Sequence, residues 1–272
     1  VSNTLGLVLK DGSRSVIKIS PHRVDRTLMR EAQQLAHLRM LGVPVPTVYG
    51  FRLASLDEPD SWLLMEWREG KDLAAVKALA TPEQFEKLQG ELAEVVLMMH
   101  QQIGPAYMRV GCDDQEVPEW HRFFSGIYDP MWLDLEKDPS TSRGCKKAFN
   151  KIRENLPRLL DHPDKPRLVH WDLWSGNVLA AQDNGGFRIS SLLDPICKYA
   201  HAEAELAYLE MFQTVTKTFL DEYKRVLRPD DGYFGLRRQV YQLYFLMDHA
   251  CFFGGQYHKK LEEASERLAG KI

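Results

Sequence analysis

The stretch His170-Trp171-Asp172-Leu173-Trp174-Ser175-Gly176-Asn177 carries three polar residues in the order H-x-D-x-x-x-x-N, the spacing of a phosphoryl-transfer catalytic loop. A hydroxyl that attacks the terminal phosphate of ATP must shed its proton as the new bond forms, and a carboxylate within hydrogen-bond reach can take it. Asp172 is assigned that role. Magnesium prefers hard oxygen ligands, so the Asn177 amide oxygen is expected to share the ion with a second carboxylate further along the chain. Asp194 is the candidate, because Phe187 to Leu193 reads as a strand returning from a turn at Asn184-Gly185-Gly186 and ending at this residue. His170 is expected to orient the loop.

These groups need elements that hold them. Arg167-Leu168-Val169 and Val178-Leu179-Ala180 read as short strands on either side of the loop. Leu5 to Leu9 and Ser15 to Ile19, joined through Asp11-Gly12, read as a hairpin. Lys18 lies among apolar residues on its second strand, where a lysine is costly to bury unless it meets an anion, so it is expected on the ATP phosphates. Arg26 to Met40 follows with apolar residues at Leu28, Ala32, Leu35 and Leu38, a helical period. Glu31, on that helix, is expected to pair with the Lys18 ammonium. Val43-Pro44-Val45-Pro46 ends the helix. Strands are expected at Thr47 to Phe51 and Trp62 to Trp67. The second leads into Arg68-Glu69-Gly70, and adenine is expected against Met65, Glu66, Trp67 and Arg68; the alternative is a plain edge strand and turn. From Pro82 a helical stripe runs through Phe85, Leu88, Leu92, Val95, Val96 and Met99. Gly104 to Glu119 is irregular, another helix starts at Trp120, and helices dominate from Ala202 to Leu268.

Composition narrows the function classes. The 35 basic and 38 acidic residues give a net charge of −3 with no basic stripe, so nucleic acid is not an expected partner and a small molecule is. No run of eighteen apolar residues is present, so no membrane span is expected. Cys112, Cys145, Cys197 and Cys251 are widely spaced without a C-x-x-C pair, which makes a reduced, cytoplasmic setting the expectation. The first residue is Val1 and no signal-peptide pattern follows, so the natural start is expected upstream.

With these residues in place the chain resembles the fructosamine-3-kinase (ketosamine kinase) family, relatives of the aminoglycoside and choline kinases. The octet from His170 to Asn177 matches that family's H-G-D-L-W-S-G-N except at Trp171, and Leu193-Asp194-Pro195 corresponds to its I-D-P. Tyr241-Gln242-Leu243-Tyr244, His249, Phe253, Gly254 and Tyr257 follow its C-terminal Y-Q-L-Y…H…F-G…Y. The family's G-D-R-E-A-D-L-A reads here as Ala200-His201-Ala202-Glu203-Ala204-Glu205-Leu206-Ala207, and Asp248 stands where Asn is usual. The resemblance implies an α+β, two-lobe protein-kinase-like fold, with a small β-rich N-lobe over residues 1–68 and a larger, mostly helical C-lobe over 69–272. It implies ATP and Mg2+ as cofactors and a ketosamine acceptor, with Trp174, Tyr199, Glu203 and His249 at the substrate. His201 and Ala202, where an Asp and an Arg are lost, are expected to redirect specificity if they touch the sugar or the amine. Val1-Ser2-Asn3-Thr4 corresponds to the end of the family's phosphate loop. Rival readings are a kinase of the same fold for an aminoglycoside or choline, and a nucleotide-binding pseudokinase acting as an interaction module.

Overall fold

The computed structural model describes residues 2–21, 26–111 and 116–272. Strands β1 (Asn3–Val8) and β2 (Arg14–Ser20) form the first hairpin. In its turn Asp11 Oδ1 accepts the Ser13 amide at 3.0 Å, and Gly12 takes φ 84°, a value that favours glycine. Helix α1 (Thr27–Met40) follows, then β3 (Val48–Arg52) and β4 (Ser61–Glu66), which complete a four-stranded antiparallel sheet ordered β1-β2-β4-β3. Leu28, Leu35 and Leu38 are buried, as the helical period requires. Asn3 and Thr4 belong to β1, with Thr4 opposite Lys18, so they are strand residues and not a loop. Val1 and Cys112 lie outside the described residues.

The remainder is mostly helical. A two-residue strand β5 (Lys71–Asp72) leads into α2 (Leu73–Leu79), which the apolar pattern did not predict and which Asp72 caps by accepting the Ala75 amide. Helix α3 (Pro82–His100) begins at a reciprocal Thr81–Gln84 capping box with proline in its first turn. The irregular segment contains the short strand β6 (Met108–Arg109). Helices α4 (Trp120–Lys137), α5 (Arg143–Glu154) and α6 (Leu156–Leu159) come next. Strand β7 (Arg167–Val169) enters the loop over residues 170–177, and the antiparallel pair β8 (Val178–Asp183) and β9 (Gly186–Leu192) leaves it. Strand β10 (Lys198–Ala200) lies between β6 and β7 in a three-stranded sheet. Helices α7 (Ala202–Met211), α8 (Lys217–Val226), α9 (Arg238–Phe253) and α10 (Gln256–Ala269) complete the chain.

Aromatic side chains fill this larger body. Trp132 stacks on Phe149 with ring centroids 4.0 Å apart, and Phe124, Tyr128 and Tyr244 pack together beside them. The two parts of the chain are tied at the end of β4, where the Arg68 guanidinium bonds both Glu66 and the Ser190 carbonyl on β9. Ser190 also donates to the Glu69 carbonyl at 2.7 Å. Cys145 and Cys197 are buried free thiols and Cys251 is an exposed one. Among the described residues no helix is long and apolar enough to cross a membrane.

Candidate active site

The loop between β7 and β8 takes its shape from two buried acceptors. Glu205, on α7, accepts the backbone amides of His170 at 3.1 Å and Trp171 at 2.5 Å, and its other contact is the His100 ring at 2.8 Å. Burial alone would raise the Glu205 carboxyl, but the His100 contacts and the Trp171 amide outweigh it and hold the group below the usual range. The grip matters because Trp171 has φ 73°, a left-handed conformation that glycine adopts freely and other residues adopt at a cost. His170 is fully buried, and its Nδ1 accepts the Asp172 amide at 3.4 Å. Burial pushes its pKa down, so the ring is neutral and serves to position the loop.

Asp172 is held on both oxygens. Tyr208, on α7, donates to Oδ1 at 2.7 Å, and Asn177 Nδ2 donates to Oδ2 at 3.0 Å. Burial nevertheless raises the carboxyl to about 6, against the pull of those two hydrogen bonds. A base of that pKa is ionised at neutral pH and still accepts a proton readily.

Lys18 Nζ lies 2.6 Å from Glu31 Oε1 and 2.6 Å from Asp194 Oδ1, so the strand lysine, the helix glutamate and the second carboxylate meet. Burial acts to lower the Lys18 ammonium, but the two carboxylates more than restore it and keep it charged. A cavity of about 410 Å³ opens beside them, lined by Lys18, Arg30, Arg109, Asp172 and Asp194. Magnesium retains waters and takes one or two protein oxygens beside nucleotide phosphates. Asp194, with its side chain 51% exposed, and Asn177, whose amide nitrogen is engaged by Asp172, fit that demand. Among the described residues no cluster of three His, Cys, Asp or Glu side chains could hold an ion unaided.

On the other side of Asp172 lies a larger cavity of about 930 Å³. Trp174 and His249 both line it, together with Trp171, Phe245, Phe253 and Tyr257. The other two residues expected at the substrate lie elsewhere. Tyr199 packs over Gly104 and reaches His37 at 3.4 Å, while Glu203 is buried in a bidentate pair with Arg237 at 2.8 and 3.0 Å. Neither lines this cavity. The condition set for His201 and Ala202 is not met at this cavity: His201 is wholly buried, within 3.1 Å of the Tyr241 hydroxyl and 3.0 Å of that of Tyr107, and Ala202 is 2% exposed. At the end of β4 Met65 is buried, and Glu66 is held by the Thr47 amide and hydroxyl as well as by Arg68. Trp67 lies under the Arg14 guanidinium, 4.7 Å from its ring centre.

The sequence pattern missed the roles of Tyr208, Glu205 and Lys198. For Lys198 a signal existed, since it too is a lysine in an apolar strand; the other two sit on a helix whose facing the period does not reveal.

A sequence profile described as fructosamine kinase matches residues 3–270. The probable ketoamine kinase YniA of Escherichia coli K12 is 28% identical over 248 residues, covering 88% of this chain and 79% of that protein. The crystal structure of a putative fructosamine-3-kinase from Haemophilus somnus superposes with a TM-score of 0.77 at 20% identity, covering 98% of this chain and 90% of that one. The aminoglycoside phosphotransferase APH(4)-Ia, in a ternary complex with AMP-PNP and hygromycin B, superposes with a TM-score of 0.71 at 17% identity, covering 99% and 90%. These neighbours share the kinase-like fold.

Proposed function

The chain belongs to the fructosamine kinase family and is a phosphotransferase with a hydroxyl acceptor, and from that premise we propose that it phosphorylates the 3-hydroxyl of a ketosamine with ATP and magnesium. The observation that carries the reading is that Asp172 borders two cavities at once, the charged one beside Lys18 and Asp194 and the aromatic one beside Trp174 and His249.

In this reading the nucleotide lies with its adenine against Met65 to Arg68 and its phosphates toward Lys18. Asp194 and Asn177 would hold magnesium, which supplies charge neutralisation at the phosphates. The sugar portion rests against Trp174 in the aromatic cavity. Asp172 accepts the proton of the attacking hydroxyl as its oxygen bonds to the terminal phosphorus, and the bond from that phosphorus to the bridging oxygen breaks, leaving ADP with the electron pair. A 3-phosphorylated ketosamine is unstable and releases its amine, so the reaction would repair glycated proteins or metabolites.

ADP release with fructosyl-lysine, ribulosyl-lysine, kanamycin and choline assayed in parallel tests the reading. Turnover is expected for the ketosamines. Robust turnover of kanamycin or choline, with none of either ketosamine, would overturn it.

A further inference from the structure

We propose that Lys198 is a second cationic contact for the phosphoryl group in transit, acting from the acceptor side of Asp172 while Lys18 acts from the nucleotide side. The proposal rests on the phosphotransferase reading and requires no particular acceptor.

Lys198 opens β10, opposite Arg109 of β6 and Val169 of β7, and is 4% exposed. With Asp172 and Ile196 it lines both cavities, and a residue that borders both lies where the phosphoryl group must cross. Among the described residues lining the aromatic cavity it is the sole Lys or Arg.

The carboxylates that influence it, Asp248 and Glu205, act on it at a distance. The ammonium donates to the Ile196 carbonyl at 3.0 Å and lies 4.5 Å from the centre of the Trp171 ring. Among the described residues no carboxylate stands within ion-pair distance, in contrast to Lys18, which has two. A buried ammonium without a carboxylate is unfavourable, and an arriving anion relieves it. The charged and titratable groups around it divide. Burial leads and Arg109 on β6 adds to it, while Cys197, Asp248 on α9 and Glu205 on α7 oppose, and together they bring Lys198 down to about 7. A phosphoryl dianion at this position restores the full charge, as cationic clamps on transferring phosphoryl groups do.

The test uses the full chain with Lys198→Met, Lys198→Gln and Lys198→Arg. Each is titrated with MgADP alone and then with MgADP plus tetrafluoroaluminate, a planar stand-in for the group in transit. All variants should bind MgADP as the wild type does, which also reports that they are folded. The two neutral variants should bind the tetrafluoroaluminate complex at least about tenfold more weakly, with Lys198→Arg close to wild type. In turnover they should lose about 100-fold in kcat with KM for ATP unchanged. Equal affinity of the neutral variants and the wild type for the tetrafluoroaluminate complex overturns the proposal. So does a defect confined to KM for a carboxylate-bearing ketosamine, which would assign the anion to the acceptor. Failure of the ketosamine reading itself shows as absent wild-type turnover, and the tetrafluoroaluminate comparison then decides Lys198 alone.

Discussion

Replacing Tyr208 with Phe isolates one hydrogen bond at the proposed base and should move the acid limb of the rate profile. The Tyr208 hydroxyl donates to Asp172 Oδ1 at 2.7 Å, and its ring packs on Phe212 and Phe245 with centroids 4.6 and 4.9 Å away. Phenylalanine keeps the ring contacts and loses only the donor. A hydrogen bond to a charged group contributes about 1.5–3 kcal/mol. At about 1.4 kcal/mol per pKa unit, its loss raises the Asp172 carboxyl by about one to two units. The starting value is about 6, raised by burial in spite of that bond. The variant should therefore titrate at about 7–8, and its ionised fraction at pH 7 should fall from about nine-tenths to between about one-half and one-tenth. The sign follows from the role: the ionised form accepts the proton, so raising its pKa removes activity near neutrality and returns it at higher pH. Measuring kcat/KM for the acceptor from pH 5 to 9 at saturating MgATP reads this directly. A limb that stays at its wild-type position, or a loss equal at every pH, would refute the reasoning.

Asp172→Asn should keep nucleotide binding and lose about a hundred- to ten-thousand-fold in turnover; more than about a tenth of the wild-type rate would remove Asp172 as the base. Asp194→Ala should weaken nucleotide binding in proportion to magnesium, as calorimetry at several metal concentrations would show, and an unchanged metal dependence would assign the ligand elsewhere. Trp171→Gly relieves a left-handed backbone worth about 1–2 kcal/mol, yet it deletes a buried indole worth about 3–5, so urea unfolding should show a net loss of about 1–4 kcal/mol. A gain in stability would mean that the ring contributes little. Glu205→Gln should destabilise by about 2–4 kcal/mol near neutrality, because three donors converge on the ionised group. Its carboxyl is held below the usual range, so that stability is complete above about pH 4.3 and disappears as the pH falls further; the two urea midpoints should converge in acid.

What could be read from sequence was whatever local chemistry fixes. Lys18 announces itself as a charge in an apolar strand, and the turn before β9 sets where Asp194 returns, so their meeting with Glu31 followed from chain order. Helix α7 was opaque for a physical reason: it is buried on every side, so its period marks no face, and Glu205 and Tyr208 acquire their roles only through tertiary placement. Glu203 and His201 lie away from the aromatic cavity for the opposite reason. The family resemblance put Glu203 at the substrate and left His201 conditional, but an ion pair to Arg237 and two tyrosine hydroxyls let both be buried. Helix α2 escaped because seven residues give too little periodicity to register.

The left-handed turn at Trp171 bears on the order in which the protein can become active. Its local preference opposes the required shape, and the acceptor that enforces it lies 34 residues further along the chain. During synthesis the loop emerges before α7 does, so residues 170–177 cannot settle into their final geometry on their own. Assembly of the loop that carries Asp172 is thereby coupled to docking of a later helix, a long-range contact that forms only once the intervening chain has closed. A half-made polypeptide consequently lacks the finished loop.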